Sequence, residues 1–104
     1  GLRQVVVFVQ LGKHLEQLLK QVYEVLVGRD PGRMSLFEML SELNEYNYLP
    51  EPIAQHLHSV RTLGNIAAHG DSSGVTSDDA AMAVLGALRT AEWAEGQILL
   101  DSPR

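Results

Sequence analysis

Cysteine is absent from this chain. Its absence removes disulfides, thiolate nucleophiles and sulfur metal ligands together. It also agrees with a reducing compartment, and the chain is expected to be cytoplasmic. Basic residues are scarce: 8 Lys and Arg stand against 13 Asp and Glu, for a net charge of −5. A broad surface that tracks a phosphate backbone is not expected from that balance, so RNA is a disfavoured partner. Long apolar runs are missing as well. Val5-Val6-Val7-Phe8-Val9 is too short to span a bilayer and is soon followed by Gln10, Lys13 and Glu16. It lacks the cationic flank and cleavage site of a secretory leader. No membrane contact is expected. No Gly-rich phosphate loop, nucleophile elbow or pair of metal carboxylates at helical spacing occurs, and no cofactor is expected.

What is there suits one small domain. The chain has 104 residues and is 45% apolar, enough to build a core. A domain of this size buries a smaller share of its surface than a larger one does, so a second copy or a protein partner would help it. The opening Gly1-Leu2-Arg3-Gln4, with no initiator methionine, reads as the start of a piece excised from a longer protein.

Apolar residues at Phe8, Leu11, Leu15, Leu18, Leu19, Val22, Tyr23 and Leu26 recur at threes and fours, which predicts a helix over 2–27. The early valines leave a strand at 5–9 as the competing reading. Gly28 to Gly32 is a turn by composition. Ser35-Leu36-Phe37-Glu38 has the capping-box pattern and starts a second helix with Leu36, Met39, Leu40 and Leu43 inward. It fades at Asn44–Asn47. Pro50 and Pro52 bracket the stop, and a third helix is expected over 51–69. Residues 70–74 form a loop. Thr76-Ser77-Asp78-Asp79 is a second start signal, with acidic residues at the positive end of the helix dipole. The fourth helix runs to about residue 100, with Ala81, Val84, Leu85, Leu88, Ala91 and Ile98 as its expected inner seam and Trp93 at an edge or on a partner. The chain is thus all-α, and four helices with short loops imply an antiparallel bundle.

Residues 61–70 carry two patterns at once. At about 100° per residue, Ile53, Leu57, Val60, Gly64 and Ala67 share one side. His58, Arg61, Asn65 and His69 share nearly the opposite side, as a ridge of imidazole, guanidinium, amide and imidazole. Gly64 inside a helix is destabilising by ~1 kcal/mol against alanine, so a second helix is expected to approach closely there, with Ala67 and Ala68 extending the small surface. For Asn65 and His69 two readings stand. His69 in a last turn can satisfy orphan carbonyls while Asn65 braces the loop. Alternatively His69 works as an acid–base imidazole and Arg61 steadies a phosphate. His56 and His58 do not form the His-x-x-x-His pair that a helical metal site needs, and no metal is expected.

The line Arg61-x-x-Gly64-Asn65-x-x-Ala68-His69 resembles the signature that closes the third helix in small bacterial HEPN-like domains of unknown function. The lead-in through Leu49, Pro50, Ile53, Leu57 and Val60, and the following Thr76-Ser77-Asp78-Asp79-Ala80, are similar to that group too. The resemblance runs from about Leu11 to Leu100. It implies a four- or five-helix HEPN-like bundle, often dimeric, of the kind found in toxin–antitoxin, restriction and antiviral systems. Active HEPN proteins are metal-independent ribonucleases with a composite site at a dimer interface. In this chain seven residues separate Arg61 from His69, more than in the active members, and Gly64 stands where their arginine would precede the polar residue. The first expectation is therefore a non-catalytic interaction or dimerisation module of a larger protein, with His58, Gly64, Ala68 and Trp93 in structural or contact roles. The alternative is an endoribonuclease using Arg61, Asn65 and His69.

Overall fold

The structure, a computed structural model, describes residues 2–69 and 76–101, with side chains for 6–66 and 76–101. The predicted loop at 70–74, the tail at 102–104 and the side chains of Ala67, Ala68 and His69 lie outside the described residues. Among the described residues every regular element is a helix. None is long and apolar enough to cross a membrane.

Helix α1 spans Leu2–Val27, so the strand alternative at its start does not form. Its inward residues Phe8, Leu15, Leu19, Val22 and Tyr23 are buried. It ends at Gly28, whose φ of 82° suits a residue without Cβ.

Helix α2 spans Leu36–Glu45 and is fixed at both ends by local chemistry. The Glu38 amide donates to Ser35 Oγ and the Ser35 amide donates to Glu38 Oε1, each at 3.1 Å. Such a box satisfies two amides that the first turn leaves without partners. At the other end Asn47 has φ 62°. Its amide donates to the Asn44 carbonyl at 3.0 Å and the Tyr48 amide to the Leu43 carbonyl at 2.9 Å, a Schellman closure. Leu36, Met39, Leu40 and Leu43 face the core as expected.

The expected helix over 51–69 is two helices. Helix α3 is a single turn, Glu51–Ala54, and α4 spans Leu57–His69. Between them the His56 amide reaches only three residues back, to the Ile53 carbonyl at 2.9 Å. That tightening reorients the chain, so apolar spacing counted across Gln55 and His56 loses register. The buried face of α4 is Val60, Leu63 and Ile66, rotated away from the expected line through Gly64.

Helix α5 spans Ser77–Asp101. The Asp79 amide donates to Thr76 Oγ1 at 3.0 Å, the second predicted cap. Its inner seam differs from the expectation. Ala83, Gly86, Ala87, Thr90, Ala91 and Ala94 are buried, whereas Leu85 and Leu88 point outward. The reason is proximity. A Cβ built on Gly86 would lie 2.7 Å from Ser59 Cβ on α4. Only small side chains fit between helices that close, so α5 turns its alanines inward. Thr90 Oγ1 spends its donor on the Gly86 carbonyl at 2.8 Å, which lets a hydroxyl sit in the core.

Helix α5 packs on α1 and α4, and α2 covers the other side of α1 and α4. Trp93 and Ile98 are half-buried against the resulting core. Full burial of Leu15, Leu19 or Leu63 stabilises by about 1.5–3 kcal/mol each.

Candidate functional site

The polar ridge of α4 forms as far as its side chains are described: His58, Arg61 and Asn65 are all exposed. Their i, i+3, i+7 spacing sets them on the side away from Val60, Leu63 and Ile66. Thr62 Oγ1 folds back onto the His58 carbonyl at 3.1 Å and takes no part in the ridge. The guanidinium carbon of Arg61 lies 5.3 Å from the centre of the Phe37 ring on α2, a cation–π contact that anchors this arginine across two elements.

Arg61 and Asn65 edge a cavity of about 510 Å3 between α1, α4 and the start of α2. Its apolar lining includes Val9, Met34, Leu36, Phe37 and Val60, and glycines stand on two walls, Gly12 on α1 and Gly64 on α4. Its charged lining is Lys13, Glu16, Arg33 and Arg61. The chain's other described cations each have a carboxylate: Lys20 Nζ lies 3.5 Å from Glu16, Arg89 lies 3.5 Å from Glu92, and Arg29 is bonded to Glu42. Lys13, Arg33 and Arg61 have no such partner among the described residues. These positions are 20 and 28 residues apart, so no local motif could have announced their convergence.

Among the described residues Gly64 is not where a helix comes close: a Cβ added there meets none of them within 4 Å. The expected close approach is real but belongs to Gly86. His56 and His58 diverge. His56 turns toward α5, its Nδ1 3.3 Å from where a Gly86 Cβ would stand, and His58 is exposed. Among the described residues no cluster of three or more His, Asp or Glu is placed to hold a metal ion. His14 reaches Glu95 on α5 at 3.8 Å.

A second polar cluster lies where α1 meets α2. The Tyr23 hydroxyl donates to Glu42 Oε1 at 2.6 Å. Arg29 donates to Tyr23 Oη through Nε at 3.2 Å and Nη2 at 3.1 Å, to Glu42 Oε1, and to Tyr46 Oη at 3.4 Å. The Glu42 carboxylate holds the Tyr23 phenol above its usual range, with burial adding to the effect. The same hydrogen bond from Tyr23 holds Glu42 below the usual carboxylate range. Each group stabilises the protonation state the other needs, which makes this cluster a clamp.

A family model described as Domain of unknown function (DUF4145) matches residues 5–90. The chain belongs to that family. The DUF4145 match takes in α1 almost whole, α2 to α4 and the first half of α5, so every residue that lines the cavity lies inside it. No curated protein and no solved structure matches the chain.

Proposed function

We propose that this DUF4145 domain is a non-catalytic helical module through which a larger protein self-associates, with a second copy of the same surface as the first occupant. The observation that carries this reading is the outward face of α5. Met82, Leu85 and Leu88 are 53%, 43% and 47% exposed, on a helix whose inward face is alanine, glycine and threonine. Three large apolar side chains left exposed within two turns, beside Arg89 and Glu92, have the mixed apolar and charged make-up of a contact surface. The resemblance of the Arg61–His69 line to HEPN-like domains supports the same reading, since those antiparallel bundles are often dimeric. The test is sedimentation equilibrium of the wild type and the Leu85→Glu/Leu88→Glu variant. A dimer that the variant converts to monomer supports the module. A wild type that stays monomeric at high micromolar concentration overturns it.

A second reading is a metal-independent endoribonuclease acting at a dimer interface. It is favoured by the exposure of Arg61 and Asn65 together at the edge of a cavity that also holds Lys13 and Arg33. Arg61 would contact the scissile phosphate, Asn65 would orient the reacting group and His69 would serve as acid or base. RNA cleavage in the presence of EDTA, lost in His69→Ala, is the expected result. Equal cleavage by both chains, or none by either, removes this reading.

A further inference from the structure

We infer that the cavity between α1, α4 and the start of α2 binds a small phosphate monoester with an apolar body. The inference is separate from the module reading, because α5 contributes no residue to the cavity. Three observations carry it. The first is charge. A chain of net charge −5 sets three cations, each without a carboxylate partner among the described residues, around one opening. Like charges repel, and gathering them costs stability unless an anion offsets it. The second is stoichiometry. Lys13, Arg33 and Arg61 against Glu16 leave two net positive charges on the lining, the match for a phosphomonoester dianion. The third is the floor. Val9, Met34, Leu36, Phe37 and Val60 are apolar, and about 510 Å3 is the size of a small-molecule pocket.

An anion held only by a cationic rim would leave that floor wet. An apolar ligand alone would leave the rim uncompensated. The ligand that satisfies both has a phosphate at the Lys13, Arg33 and Arg61 edge and a ring or chain toward Phe37 and Val60. Arg61 is held for this role by its stack on Phe37, which fixes the guanidinium near the rim. The acidic remainder of the surface disfavours a long polyanion and leaves a compact one acceptable.

The experiment titrates the 104-residue chain at low salt with phenyl phosphate, inorganic phosphate and phenol, by calorimetry. Phenyl phosphate is expected to bind saturably and more tightly than either half alone. Lys13→Gln and Arg33→Gln, both at exposed positions, are each expected to weaken it about tenfold, the loss of one charge-assisted contact. Arg89→Gln, away from the cavity, is expected to change nothing. Gly64→Leu grows a side chain into open space beside the lining, and is expected to abolish binding while the Tm is held or raised. Absence of saturable phenyl phosphate binding overturns the proposal. So does equal affinity in Lys13→Gln and Arg33→Gln, or affinity for an oligonucleotide that exceeds phenyl phosphate and grows with its length. Should Gly64→Leu lower the Tm, the two charge variants decide.

Discussion

Tyr23 and Glu42 share one short hydrogen bond and are pushed in opposite directions by it, the phenol up and the carboxylate down. The linkage to stability follows from the signs. Glu42 is depressed in the folded chain, so its contribution is present above the unfolded carboxylate range and is lost as pH falls through its folded value. Tyr23 is raised, so its contribution is present below the ordinary phenol range and is lost as pH rises beyond it. Between those limits the clamp is intact. Glu42→Gln is expected to lower the urea midpoint at pH 7, and the gap from wild type should narrow progressively below about pH 5, as unfolded carboxylates take up protons. A gap that is constant from pH 7 to pH 3 would show that the carboxylate charge is not what matters. The cluster was not foreseen in the sequence, because Tyr23 reads there as one more apolar residue of the α1 stripe.

Element by element, what local chemistry decides was legible and what tertiary approach decides was not. The capping box at Ser35, the Thr76 cap and the stop at Gly28 are set by neighbours in sequence, and each formed as expected. The seam of α5 differs from the one apolar counting predicts, because counting weighs a leucine above an alanine, whereas close packing on α4 prefers the alanine. The glycines differ for a related reason: a glycine inside a helix signals close approach, but an added Cβ at Gly64 points into open space among the described residues and Gly86 bears the contact. The two glycines should therefore respond oppositely. Gly64→Ala is expected to stabilise by about 0.5–1 kcal/mol through helix propensity. Gly86→Ala brings its methyl to 2.7 Å from Ser59 Cβ and is expected to destabilise, by about 1–3 kcal/mol. Thermal unfolding of both variants reads the two signs, and two shifts in the same direction would refute the packing assigned to α5. Of the cavity's polar lining, Arg61 and Asn65 were legible in the sequence. Lys13 and Arg33 reach it from other elements.

For the molecule as a whole, the cavity and the outer face of α5 involve different residues, so binding at one can be separated from assembly at the other. If two chains associate through Met82, Leu85 and Leu88, folding and association are linked, and the unfolding midpoint rises with protein concentration. That dependence is expected in the wild type over a hundredfold range of concentration and is expected to vanish in Leu85→Glu/Leu88→Glu. An equal midpoint at every wild-type concentration would leave α5 with an outer face that nothing covers in solution.

The hollow owes part of its room to Gly12 and Gly64, which present bare backbone from two walls. Its gauge is therefore adjustable one methyl group at a time, from the α4 side, without recruiting any other residue. Alanine, valine and leucine at position 64 would make a graded sieve, each step excluding a smaller guest than the last.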